Sequence, residues 1–195
     1  MASTSVSLLE RLRTNPDEGA WERLVAVYRP WIMGWLRRHG LTDSDAEDLA
    51  QEVLLVVLRE VPFFQHNRRP GAFRAWLRTV TVHRVQDFGR SRRYRPEVVG
   101  DGAILDRLVE LQDPASELSR QWDQEHDAHV VRRLVALIEP EFQESTWRAF
   151  RAVMLEGETP ASAAERLGVS VNAVLLAKSR ILARLRQEGE GLIDV

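Results

Sequence analysis

Between Ala46 and Val61 the apolar residues Ala46, Ala50, Val53, Val57 and Val61 fall at intervals of three and four, the spacing that lines one face of an α-helix. The same period recurs along most of the chain, and no stretch alternates convincingly as a strand would. A chain patterned this way has only helix faces with which to build a core, so the expected fold is all-α.

Turn and cap residues divide the pattern. Asn15 and Pro16 read as a helix start, and the helix then runs through "WERLVAVYRPWIMGWLRRHG", bends near Pro30 and stops at Gly40. Ser44 with Glu47 has the form of a capping box for the next helix, which continues to about Val61, ahead of Pro62. Pro70-Gly71 opens a third long segment, "AFRAWLRTVTVHRVQDFGRSRRY". Pro96, Gly100, Gly102 and Pro114 then punctuate an acidic stretch that reads as a linker holding short helices at most. Helical patterning returns at "HDAHVVRRLVALIEP", with three further helices at about 142–156, 160–167 and 171–187. The expected organisation is two small helical domains, 1–95 and 126–195, joined by an acidic linker over 96–125.

Charge sharpens this division. From His66 to Arg95 there are nine arginines and one acid, Asp87, whereas from Pro96 to Asp127 there are nine acids against Arg107 and Arg120. In a chain of net charge -2, a block this basic points to a polyanion partner for one part only. The chain has no cysteine, which excludes disulfides, thiolate metal sites and a cysteine nucleophile. Its longest apolar run, "VLLVVL", is far short of a membrane span, and "MASTSVSLLERLRT" lacks the layout of a signal peptide, so the expected location is the cytoplasm.

The C-terminal "TPASAAERLGVSVNAVLLAKSRILARLRQE" has a short helix, a Gly168-Val169-Ser170 turn and a longer helix, the layout of a helix-turn-helix. Ala163, Ala164 and Leu167 are expected to face inward, with Val171, Val174, Ile181 and Leu185 as the buried stripe of the second helix. The opposite face then shows Asn172, Ala173, Leu176, Ser179, Arg180 and Ala183, with Arg184 at its edge. Asn and Arg can read base edges, Leu and Ala can touch a thymine methyl, and Arg can hold phosphates. No acid lies between Val169 and Gln187. The same segment also fits a plain helical hairpin with a solvated basic face.

In the third long segment Phe73, Trp76 and Val80 sit among arginines. Rings interleaved with guanidinium groups suit single-stranded nucleic acid, yet the spacing also fits the core face of an amphipathic helix. Core is the better reading for Trp76, and phosphate contact for Arg90, Arg92 and Arg93.

The stretch "DSDAEDLAQE" puts five carboxylates at the head of the second long helix. Asp45 and Glu47 can serve the helix dipole. Asp48, Glu52, Leu55 and Arg59 share a face opposite the apolar stripe, flanked by Asp45, Gln51 and Val56. Apolar residues rimmed by acids suit docking to another protein. A metal site on Asp48 and Glu52 lacks further ligands of matching spacing, so neither a metal nor another cofactor is expected.

Taken together, "DAEDLAQEV", "FRAWLRTVTVHRVQDFGRSRR" and a C-terminal helix-turn-helix resemble a bacterial sigma factor of the extracytoplasmic-function group, with its region two at about 20–95 and region four at about 126–187. The resemblance implies an initiation factor, not an enzyme, that binds core RNA polymerase and directs it to promoter DNA. It implies that Asp48, Gln51 and Glu52 match the family's D-x-x-Q-E and contact the clamp helices of the polymerase, with Asp45 and Leu55 beside them. It implies a minus-ten reader in the 73–93 helix, carried by Arg78, His83, Arg84, Asp87, Arg90, Arg92 and Arg93. His83 stands where the family usually has asparagine. It implies a minus-35 reader carried by Asn172, Ala173, Leu176, Ser179, Arg180 and Arg184, although "SVNAVLLAKSRI" departs from the family's usual residues. The acidic connector would pass through the polymerase's basic channel as an RNA mimic, with a solvated tether as the plainer alternative. An anti-sigma factor, where one exists, would cover the acidic face and the helix-turn-helix. Two other readings compete: a stand-alone helix-turn-helix regulator, and a metal hydrolase supported by His126 and His129 near Asp123.

Overall fold

A computed structural model describes residues 7–14, 17–65, 71–93 and 106–193, with the backbone alone at 92 and 93. Its elements in chain order are α1 (Leu8–Thr14), α2 (Glu18–Arg38), α3 (Asp43–Glu60), α4 (Ala72–Arg93), α5 (Glu117–Ile138), α6 (Glu144–Met154), α7 (Pro160–Leu167) and α8 (Val171–Gly189). Short 3₁₀ turns at Val61–Phe63, Glu110–Gln112 and Glu139–Glu141 join them. Among the described residues there is no strand, and only an isolated bridge between Glu190 and Ile193.

Two helix starts differ from the sequence reading. The cap of α2 is Asp17, whose carboxylate accepts the Ala20 N–H at 2.6 Å; Asn15 and Pro16 lie outside the described residues. The cap of α3 is Thr42, two residues before Ser44. Its hydroxyl accepts the Asp45 N–H at 3.2 Å and donates to the Asp45 carboxylate at 2.6 Å. Thr42 and Asp45 thus fill the cap and third-residue positions assigned to Ser44 and Glu47, and Glu47 instead pairs with Arg29.

Helix α2 runs unbroken through Pro30. A proline has no N–H, so the carbonyl of Ala26, four residues earlier, loses its helical donor. Arg133 of α5 replaces it, donating Nε at 3.0 Å and Nη2 at 2.7 Å to that carbonyl. One residue on, His129 donates from Nε2 to the Val27 carbonyl at 2.8 Å. The interrupted helix is therefore completed by its neighbour.

The main core is continuous from α1 to the C-terminal segment. Leu8 and Leu12, Leu24 and Trp35, Ala46 and Val57, Phe73 and Val85, Leu118 and Trp122, and finally Leu192 belong to one buried cluster. Trp122 is fully buried, edge-on to Trp31 and Trp35 with centroids 5.4 and 4.8 Å away. Two smaller clusters hold the C-terminal helices: an alanine-rich one around Val174, and one joining Ile138 of α5 to Trp147, Phe150 and Ile181.

This packing corrects the linker. Residues 94–105 lie outside the described structure, but 117–125 form the first half of α5, so the boundary drawn at 126 falls inside a helix. Leu118, Trp122, His126, Val130, Leu134 and Ile138 make a buried stripe at every fourth residue. The acids of this stretch are paired as well. Asp123 meets Arg78 at 2.8 Å and Arg74 at 3.3 Å, Asp127 pairs with Arg74, and Glu125 pairs with Arg38. A second cross-chain network ties Arg23 of α2 to Glu141 and Glu188 at 2.9 and 2.7 Å, with Arg184 bound to the same two carboxylates.

Candidate functional site

The acid-rich helix divides its carboxylates into two groups. Asp43 pairs with Arg37, Glu47 with Arg29, and Asp45 is 8% exposed and held by Thr42. Asp45 therefore closes the helix start, and the structure removes it from the docking face. Asp48 and Glu52 are exposed and form no ion pair among the described residues. Gln51 is exposed beside them, and Leu55 between them and Arg59 is 48% exposed. Val56, expected on this face, is half-buried against the core. In its place Leu58, 43% exposed and seven residues on from Gln51, extends the apolar part. The apolar side of the helix behaves as its spacing predicts: Ala46, Ala50, Val53, Val57 and Val61 are all buried.

The basic helix α4 likewise sorts its residues. Phe73, Val80, Val82 and Val85 are buried, and Trp76 packs half-buried on Phe64 and Phe73. Arg78 is 7% exposed and tied to Asp123, so it is not available to nucleic acid in this conformation. His83 is exposed. Asp87 accepts from both Arg84 and Arg90, and chiefly the Arg90 hydrogen bond holds its carboxyl below the ordinary value. The result is a fixed Arg84–Asp87–Arg90 ladder along one edge, with the Arg90 side chain 68% exposed. Arg92 and Arg93 end α4, but their side chains, like Arg68, Arg69 and Arg95, lie outside the described residues.

In the C-terminal unit Thr159 caps α7 by accepting the Ser162 N–H, and Ser170 caps α8 by accepting that of Ala173. Between them Gly168 takes φ 67°, a left-handed turn that favours glycine. Ala163 and Ala164 of α7 meet Ala149 and Ala152 of α6 and Val174 and Ala177 of α8, and their small side chains let the three helices approach closely. Ile181 is fully buried, while Leu167 and Leu185 are half-buried. Asn172, Ala173, Leu176, Ser179, Arg180 and Ala183 are exposed as expected. Arg184 is the exception. Its guanidinium meets Glu141 and the buried Glu188, each at 2.7 Å, and serves packing instead of the reading face. Val171, expected inside, is 43% exposed, and Leu175, not assigned to the face, is 46% exposed.

The two histidines of α5 diverge. His126 is fully buried, with Nδ1 2.8 Å from Asp127 and Nε2 3.3 Å from the Tyr28 hydroxyl. Burial lowers its pKa more than Asp127 restores it, so the neutral ring donates from Nδ1 and accepts from Tyr28. His129 turns to the Val27 carbonyl. Among the described residues no group of three or more His, Asp or Glu side chains is placed to hold a metal ion, and no helix is long and apolar enough to cross a membrane.

Residues 24–95 match the family described as Sigma-70 region 2. The whole chain is similar to the ECF RNA polymerase sigma factor ShbA of Streptomyces griseus, 30% identical over 194 residues that cover 96% of this chain and 97% of the relative. It is also 30% identical over 191 residues to the ECF RNA polymerase sigma factor RpoE of Cereibacter sphaeroides, covering 93% of each chain. The chain is also similar to the ECF RNA polymerase sigma factor SigD of Mycobacterium tuberculosis, 28% identical over 188 residues, 88% of this chain and 78% of the relative.

Proposed function

This chain belongs to the extracytoplasmic-function RNA polymerase sigma factors, and on that premise we propose where on this fold each part of promoter-directed initiation is carried out. It is an initiation factor that binds RNA polymerase and directs it to specific promoters. It performs no chemistry of its own and works in the cytoplasm, where the polymerase is. A stand-alone helix-turn-helix regulator is not favoured, because the similarity runs across both halves of the chain.

The polymerase docks on α3 through Asp48, Gln51, Glu52 and Leu55. One observation carries this assignment: of the acids that open α3, Asp48 and Glu52 are exposed and form no ion pair among the described residues, while Asp43, Asp45 and Glu47 are each engaged. Unpaired carboxylates around an exposed leucine suit a basic partner with an apolar centre, since the charges steer the encounter and the leucine supplies the contact. Minus-ten recognition falls to the exposed edge of α4, with His83 and the Arg84–Asp87–Arg90 ladder, and to Arg92 and Arg93 beyond it. Minus-35 recognition falls to α8 through Asn172, Ala173, Leu176, Ser179 and Arg180. An anti-sigma factor acting on this chain would need to cover α3 or α8.

The test is a pull-down with core RNA polymerase from the host, using the wild type and Asp48→Arg/Glu52→Arg. Both positions are exposed, so the variant should keep its circular dichroism spectrum. Polymerase binding should fall at least tenfold. Undiminished binding by a folded variant would remove α3 as the dock.

A further inference from the structure

The observation that the docking and minus-ten surfaces leave unused is the apolar character of α8. Val169, Val171, Leu175 and Leu176 are 41%, 43%, 46% and 47% exposed, and they gather at the turn and first two turns of the helix. Resting on the assignment of α8 to the minus-35 element, we propose that this helix reads that element chiefly through thymine methyl groups, with Leu175 and Leu176 as reading side chains and Asn172 between them on an adenine.

The geometry follows from the burial pattern. At about 100° per residue, Val174, Ala177 and Ile181 define the buried direction, and Asn172 and Ser179 lie opposite it. Leu175 and Leu176 fall about 50° to either side of that outward line, so both reach the surface that the second helix of a helix-turn-helix presents to the major groove. In that groove the C5 methyl of thymine is the one apolar feature on a base edge, and asparagine pairs in bidentate fashion with adenine. Ser179, one turn further on, is short enough not to hold the helix away. Arg180 sits at the rim, where a backbone phosphate lies, and is exposed.

Charge selects DNA over a protein as the occupant. No acid lies between Val169 and Gln187, while Lys178, Arg180 and Arg186 are basic. Arg184, the remaining arginine of the segment, is held by Glu141 and Glu188. An apolar centre on a helix whose exposed charges are all cationic suits a polyanion that also offers methyl groups.

The test uses the full chain assembled with core RNA polymerase. The holoenzyme first selects from duplexes randomised across an upstream and a downstream window. The selected sequences are then synthesised with deoxyuridine replacing thymidine in the upstream window alone, which keeps the pairing and deletes the methyl. The upstream element should be rich in A·T pairs, and deoxyuridine should weaken binding about fourfold per contacted methyl. Leu175→Ser/Leu176→Ser should bind the two forms equally. An upstream element of G·C pairs, or equal wild-type binding to both forms, overturns the proposal. Selection of a downstream element with no upstream one would instead overturn the assignment of α8 to the minus-35 element, and this reading with it. Loss of affinity for core polymerase in the leucine variant, with thymine preference intact, would make the leucines a protein contact and also overturn it.

Discussion

A proline in the middle of α2 leaves one carbonyl without its donor, and a single arginine from 107 residues further along the chain supplies two. Arg133 is half-buried, so its contribution is that of a charged hydrogen bond partly screened by solvent, about 1 kcal/mol. The expected signature is non-additive. Arg133→Ala should lower stability by about that amount in the wild type. In a Pro30→Ala background the new N–H bonds Ala26 directly, and the same change should cost roughly half as much or less. Urea unfolding of the four proteins measures the difference, and equal costs in both backgrounds would mean that Arg133 acts through packing alone. At this scale some roles were unreadable from the chain. Arg78 finds its carboxylate 45 residues away on another element, and Arg184 joins Glu188 of its own helix to Glu141, 43 residues away; nothing local marks either as tied across elements while Arg90 and Arg180 stay exposed.

Helix starts and stripes were more legible, with informative exceptions. Five carboxylates crowd the head of α3, yet the start is set by the hydroxyl of Thr42. Thr42→Ala should therefore cost about 1 kcal/mol, read as a drop of about 2–4 °C in Tm, whereas Ser44→Ala should be close to neutral. A larger loss at Ser44 would restore it as the cap. The apolar face of α3 was plain in the sequence because every member is Ala or Val at helical spacing. The second half of α5 is legible in the sequence, but its first half, 117–125, reads as linker because the stripe of Leu118 and Trp122 continues through the polar His126, which contacts with Tyr28 and Asp127 make acceptable inside, and because its acids resemble a solvated tether without their arginine partners. On α8 the sequence separates inside from outside except at Arg184, drawn inward by Glu141 and Glu188, and at Val171, which lies roughly 90° from the buried direction and at the helix's first residue.

The whole molecule is held along one seam, where α5 and the C-terminal segment meet α2 and α4. His126 and His129 lie in it, and His39 at the end of α2; burial holds all three below their ordinary value of 6.5. The folded chain thus keeps them neutral at a pH where the unfolded chain has already bound protons. Stability must then rise with pH across that window and fall as pH drops below about 6.5. The urea midpoint should be lower at about pH 5.5 than at about pH 7.5, with a shallower dependence in His126→Gln; a flat profile would show that the histidines do not govern the seam. Below about pH 4 a separate loss follows, because Asp127 and Glu141 have lowered values from their arginine and histidine partners, overcoming burial. The seam also fixes a length. A closed chain of 195 residues has a radius of gyration of about 16 Å and a breadth of about 40 Å. Twenty-five base pairs of duplex, the interval from minus-ten to minus-35, extend about 85 Å. A chain closed in this way is about half as broad as that interval is long, so straight duplex would meet the two proposed recognition helices one at a time.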